Sequence, residues 1–326
     1  MSNDPRDVVF DALYEIIAND PNAFLVTNDM GALGVDRIRE SHPGQFLNLG
    51  IAEQNLISVA AGLASTGKTV FTFGILSHMT ARCYEQLRLD VCALGVPVIG
   101  IASGAGLSYG VDGPTHHGVY DLGLLRGLPG MAVYNPADAR TAGACVDLSY
   151  REKKPALIRL DKEAPEPLYE KGADFTDGMK LLQPGSDGIL VATGCSVHRA
   201  AEAARRLSED GIHVAVLDMF RLKPIDQEHL TALLQAAPLV VSVEEHSKIG
   251  GLASLLAETI AEMESRPRFR RLSMEDEFLL GSTSRAWAEE HRGLGPEGIV
   301  AAVRALHQPK RKRAPSQAAG AHRRVA

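Results

Sequence analysis

Residues 96–118 read VPVIGIASGAGLSYGVDGPTHHG. The apolar run Val96–Ala102 breaks into a segment, Gly104–Gly118, that holds five glycines, one acid and two histidines. A continuous apolar run of that length suits a strand buried on both faces of a parallel sheet, and open α/β sheets collect ligands at the carboxyl ends of their strands. The glycines lead into Asp112-Gly113-Pro114-Thr115-His116-His117 rather than an amphipathic helix. The anion-binding helix N-terminus of a dinucleotide fingerprint is therefore not formed, which argues against a nicotinamide cofactor. His116 and His117 are adjacent, so in an extended loop they point apart, and no further ligands stand at zinc-site spacing. Two readings stay open: a histidine that transfers protons or hydrogen-bonds a ligand, or one that ties down the turn.

Outward from this loop, short Val/Ile/Phe-rich runs alternate with segments of helical period. Strands are predicted at Phe24–Thr27, Phe46–Leu49, Val70–Gly74, Val96–Ala102, Met131–Tyr134 and Ala156–Leu160. Helices are predicted near Asp7–Ile17, Glu53–Ser65, Thr80–Leu94 and Asp138–Tyr150, the last with Asn135 as N-cap and Pro136 at the first helical position. A polar, proline-bearing stretch within Asp161–Asp177 follows. A second α/β set has strands at Ile189–Thr193, Val214–Asp218 and Leu239–Val243 and helices near Val197–Glu209, Gln227–Gln235, Leu252–Glu262 and Pro296–Leu306. The expectation is two doubly wound α/β domains, 1–166 and 178–308, joined by a linker over 167–177 and followed by a basic, disordered tail, 309–326.

The 326 residues, 45% apolar and 23% charged, suffice for two ordinary cores without disulfides or a structural metal. The net charge of −6 hides an asymmetry: residues 309–326 carry six basic residues and no acid, leaving −12 for the body. An acidic body argues against nucleic acid as a partner. No run of about 18 apolar residues is present to span a bilayer. Cys83, Cys92, Cys145 and Cys195 lack CxxC spacing and read as reduced thiols, and the opening MSNDPRDVVF has no basic or apolar signal region, so a cytoplasmic location is expected.

Two more strand-end loops carry candidate chemistry. In Asn48-Leu49-Gly50-Ile51-Ala52-Glu53-Gln54-Asn55 a strand runs into a helix whose first turn holds Glu53, a carboxylate that either complements the helix dipole or serves a ligand. Arg159-Leu160-Asp161-Lys162 ends the sixth strand with two cations, suited to an oxyanion or to a solvated strand end.

Six segments in order, NLGIAEQN (48–55), ARCYEQLRLDV (81–91), GVDGPTHHGVYDL (110–122), VYNPADA (133–139), RLKPID (221–226) and EEHSKIGGL (244–252), resemble the transketolase family. The resemblance covers about Asp7 to Leu306, the C-terminal half shared by transketolases, 1-deoxyxylulose-phosphate synthases and, more distantly, β subunits of 2-oxoacid dehydrogenases. It implies a pyrimidine-binding domain for thiamine diphosphate followed by a transketolase C-terminal-type domain. Glu53 would be the family's catalytic glutamate, hydrogen-bonded to N1′ of the aminopyrimidine and promoting the imino tautomer whose N4′ deprotonates C2 of the thiazolium. Asp112, His116 and His117 would face the sugar, with His116 assisting proton transfer. Arg159 and Lys162 would meet a substrate phosphate, Lys162 standing where relatives usually place Arg.

Two departures accompany the match. Relatives stack aromatic rings on the pyrimidine, where this chain has Ile75, Leu76, His78 and Met79 ahead of Arg82; only His78 can stack. Gly104 stands where relatives with transketolase activity carry a donor-binding histidine. The family's Mg²⁺ and diphosphate ligands, a GDG followed by Asn, do not occur here. The resemblance therefore implies the C-terminal subunit of a split transketolase. It would homodimerise, pair with a separate N-terminal subunit bearing Mg²⁺ and the diphosphate to form a heterotetramer, and act on sugar phosphates. The alternatives are a 2-oxoacid-decarboxylating transferase subunit and a non-catalytic scaffold.

Overall fold

The computed structural model describes residues 4–163, 165–280 and 284–307; the basic run 309–326 lies outside the described residues. The first half comprises α1 (Pro5–Asn19), β1 (Ala23–Thr27), α2 (Leu33–Ser41), β2 (Phe46–Asn48), α3 (Glu53–Ser65), β3 (Thr69–Ile75), α4 (Tyr84–Gln86), β4 (Val98–Ser103), α5 (Asp121–Arg126), β5 (Ala132–Tyr134), α6 (Ala139–Glu152) and β6 (Ala156–Leu160). The second comprises β7 (Lys180–Gln183), β8 (Gly188–Ala192), α7 (Ser196–Glu209), β9 (Val214–Asp218), β10 (Arg221–Lys223), α8 (Gln227–Ala236), β11 (Leu239–Ser247), α9 (Leu252–Ala261), β12 (Arg268–Met274), α10 (Arg285–Arg292) and α11 (Pro296–Leu306).

Two mixed, mainly parallel sheets result, of order β10-β5-β6-β4-β3-β1-β2 and β12-β11-β8-β9-β7. Both faces of the first sheet are covered, and its strands alternate accordingly. Leu25, Phe71, Phe73, Ile99 and Ile158 pack with α1 and α6, while Val26, Val70, Val98 and Leu157 turn to the side of α3. The second cluster does not stop at the sheet: it continues through Leu122 and Leu125 to Ile189, Val191, Leu217 and Val240 of the second sheet. The two halves thus share one core. The far face of the second sheet packs with α7 and α11 through Leu190, Val216, Val241, Leu207 and Val303.

Three differences from the sequence reading concern position. Asp138, not Asn135, caps α6, its Oδ1 accepting from the Thr141 amide at 2.8 Å. Strands β7, β10 and β12 escape the apolar pattern because they are partly exposed edges. β10 crosses from the second half to pair antiparallel with β5, Arg221 opposite Tyr134. Among the described residues no helix is long and apolar enough to cross a membrane.

Candidate active site

The strand order of the first sheet reverses between β1 and β3, with β2 on one side and β4 on the other. A crevice opens at the carboxyl ends of strands at such a reversal. Beyond β2, Asn48 Oδ1 accepts from the amides of Asp29 at 2.9 Å and Gly50 at 3.0 Å, fixing the turn that delivers Glu53 to the start of α3. Glu53 is buried yet ionic: Arg82 Nη1 donates to Oε2 at 2.7 Å, and His78 Nδ1 lies 3.5 Å from Oε1. Burial pushes its carboxyl pKa up, but its own amide, the Arg82 guanidinium and His78 together bring it below the ordinary value.

His78 and Arg82 both reach Glu53 because the chain leaves β3 in a wide π turn over His78–Arg82, with a second over Leu87–Ala93. The expected helix Thr80–Leu94 is therefore largely π-wound, a deviation that recurs at functional sites. Burial, followed by the nearby Arg82 charge, lowers the His78 pKa, leaving a neutral ring. Met79 and Leu76 are fully buried and Ile75 half-buried beside it. Buried Asn28 at the end of β1 has Oδ1 without a hydrogen-bond partner among the described residues. A buried carboxylate, a soft thioether and a neutral imidazole face are the donor set for a flat, weakly basic heteroaromatic ring, and in that chemistry the residues fit the aminopyrimidine of thiamine.

The loop after β4 closes on itself by paired hydrogen bonds between Gly106 and Gly118, at 2.9 and 2.8 Å. Ser77 Oγ donates to the Thr115 carbonyl at 2.7 Å and ties this loop to the end of β3. His116 then meets His78 edge to face, with centroids 5.1 Å apart. Tyr109 also meets His116 edge to face, with centroids 6.0 Å apart, and Lys162 Nζ lies 5.3 Å from the Tyr109 ring centroid. Glu53, His78, His116, Tyr109 and Lys162 form one continuous row along the crevice, with Asp112 exposed at the rim.

Tyr109 is absent from the sequence-derived set. Its signal was Gly104. At φ +110° this residue lacks a side chain where the Tyr109 ring packs, so that a Cβ there would stand 2.7 Å from Tyr109 Cδ2. The Tyr109 hydroxyl and Ser103 Oγ are 3.0 Å apart.

Two expected residues stand elsewhere. His117 is buried, with Nε2 3.0 Å from the Gly110 carbonyl, and ties down the loop. Arg159 is 2% exposed; its guanidinium bonds Asp121 at 2.7 and 3.2 Å and the Gly118 carbonyl at 2.7 Å. A guanidinium so engaged supports the loop, and of the two strand-end cations only Lys162 is exposed.

The transketolase pyrimidine-binding domain family matches residues 3–166, and the transketolase C-terminal domain family matches residues 177–299. A subunit of the apulose-4-phosphate transketolase of Phocaeicola vulgatus is 34% identical over 295 residues, spanning 89% of this chain and 93% of that protein. The 6-deoxy-6-sulfo-D-fructose transketolase subunit SqwH of Clostridium sp. is 33% identical over 308 residues, spanning 94% and 95%. Among solved structures, a split-gene transketolase described as an inactive β4 tetramer superposes with a TM-score of 0.83 at 32% identity, covering 94% of this chain and 98% of that one.

Proposed function

This chain belongs to the transketolase family, and from that premise we propose that it is the C-terminal-type subunit of a split transketolase, moving a two-carbon ketol unit from a ketose to an aldose. We place a pyrimidine-binding domain over 1–166, a linker over 167–177 and a C-terminal domain over 178–308, a division supported by the family matches at 3–166 and 177–299. Thiamine diphosphate, its ring held by Glu53, His78 and Met79, would supply the nucleophilic carbon for ketol transfer.

The carrying observation is the row from Glu53 to Lys162. Glu53 would hold a ring nitrogen and exchange a proton with it, while Arg82 and His78 keep the carboxylate oriented. Ile75, Leu76 and Met79 would exclude water from the ring, with the neutral His78 as its one aromatic contact. His116 would hold or deliver a proton at the substrate's hydroxyls, Asp112 would accept a hydrogen bond from them, and Lys162 would hold the phosphate. Mg²⁺ and the diphosphate fall to a partner subunit, in a heterotetramer built on two copies of this chain. Leu33 and Ile51, 83% and 80% exposed near the site, are apolar surface of the kind a partner covers.

The test is reconstitution. The chain alone is expected to be inactive, and with a partner that binds the diphosphate it should transfer ketol units from a ketose phosphate. Release of carbon dioxide from pyruvate without such transfer would move the chain to the decarboxylating alternative.

A further inference from the structure

We propose that Arg285 and Glu245 of the second half are positioning residues that set the geometry of the substrate-facing loop and of Lys162. The inference rests on the reading of His116 and Lys162 given above. Neither residue belongs to the row, and both stand far away in sequence, yet Glu245 bonds the loop that carries Tyr109 and Arg285 bonds both neighbours of Lys162.

Glu245 sits near the end of β11, 5% exposed. Its Oε2 accepts from the Leu107 amide at 2.8 Å, in the loop that carries Tyr109 and His116. That approach requires Gly106: a Cβ there would lie 2.1 Å from Glu245 Oε2, and the residue adopts φ +60°. Arg285, the first residue of α10, binds Glu245 through Nε at 2.9 and 3.0 Å and through Nη2 at 2.8 Å. The same guanidinium bonds Asp161 at 3.2 and 2.7 Å and Glu163 at 2.7 Å. Asp161 and Glu163 are the two neighbours of Lys162. One planar fork thus holds the carboxylates on both sides of Lys162 and, through Glu245, the Leu107 amide of the loop.

A guanidinium can do this because its donors lie in one rigid plane, whereas an ammonium is a single point of charge. Burial raises the Glu245 carboxyl pKa, but Arg285 and Arg199 outweigh it and hold the group ionised. The clamp is therefore charged on both sides. It gives the second half, whose own sheet contributes no residue to the row, a part in substrate recognition.

The measurement is hydrogen exchange on the full chain assembled with its partner, alongside steady-state kinetics with a phosphorylated and an unphosphorylated donor. Arg285→Lys should speed exchange of peptides spanning 104–110 and 160–163 about tenfold while leaving 54–65 unchanged. It should raise KM about tenfold for the phosphorylated donor and, through the loosened loop, about threefold for the unphosphorylated one, with kcat within about twofold. Glu163→Gln, at a side chain 59% exposed, removes one arm without emptying the interior and should give about a threefold rise in the phosphorylated KM alone. Unchanged exchange and an unchanged KM ratio in folded Arg285→Lys would overturn the proposal. Should that variant not fold, an unchanged KM ratio in Glu163→Gln would do so. Loss of all ketol transfer in the wild-type complex would instead remove the transketolase reading, and the exchange data would still decide the clamp.

Discussion

The two sheets end differently, although both are doubly wound. At the carboxyl edge of the first, a row of charged and aromatic side chains runs from buried Glu53 out to the exposed Lys162. At the carboxyl edge of the second, Thr193, Cys195, Glu245 and His246 turn toward the first half and are covered by it. The space left between Ala105, Gly106, Asn135, Asp161, Cys195 and Glu245 is about 10 Å³, room for one water at most. Asp161, Cys195 and Glu245 bring ligand atoms within 4.8 Å of one another, but the Arg285 and Arg199 guanidiniums already neutralise the carboxylates. The same architectural opportunity is kept open in one half and filled with ion pairs in the other.

If that contrast is right, substitutions should separate cleanly. The largest effect is expected at Glu53. Glu53→Gln keeps shape and a hydrogen-bonding group but loses the exchangeable acid, so turnover of the reconstituted complex should fall about 10²–10⁴-fold with unchanged thermal unfolding. Turnover near wild type would break the assignment. In the filled edge the balance reverses: Arg285→Met strands Asp161 as a buried carboxylate and leaves Glu245 with Arg199 alone, and should cost about 3–5 kcal/mol of stability, read by denaturant unfolding.

The filled interior should also carry the pH dependence. Burial, eased by the Tyr169 hydroxyl bond and reinforced by Asp138, pushes the Asp218 carboxyl up to about 8. The folded chain then retains a proton that the unfolded chain releases above its ordinary carboxylate range. Stability from this group is full at low pH and is lost as pH rises from about 4 to about 8. Asp218→Asn keeps an acceptor for Tyr169, 2.5 Å away, and should flatten that slope, stabilising the protein by a few kcal/mol at about pH 8. An unaltered stability-versus-pH curve would show that Asp218 is ionised at neutral pH.

What sequence could and could not reveal follows the same division. The open edge was legible because its parts are local: Glu53 begins a helix, and Gly104–His117 is one loop. The filled edge depends on pairings across 124 residues, Arg285 with Asp161, for which no spacing rule exists. Arg159 shows the difficulty best. Its strand-end position suits a ligand cation, and only the fold reveals Asp121 beneath it. Likewise, Gly104 marked a missing side chain, while Tyr109, which fills the space, needed the loop's closure at Gly106 and Gly118 to be seen.

The smallest expected effect sharpens the comparison most, because it sets two cations of one tetrapeptide apart. Lys162 is exposed, and its ammonium contacts the Tyr109 ring; Arg159 is interior and fully engaged by Asp121 and Gly118. Removing Lys162 empties no core, so Lys162→Ala should leave unfolding unchanged. A charge-assisted hydrogen bond is worth roughly 1.5–3 kcal/mol, so KM for a phosphorylated donor should rise about tenfold or more while an unphosphorylated donor is scarcely affected. Arg159→Lys should do the opposite: a single ammonium cannot span both Asp121 oxygens and the Gly118 carbonyl, so stability drops and both donors suffer alike through the displaced loop. Selective loss of the phosphorylated donor in Arg159→Lys, with Lys162→Ala neutral, would exchange the two roles and place the oxyanion site inside the sheet edge rather than at its mouth.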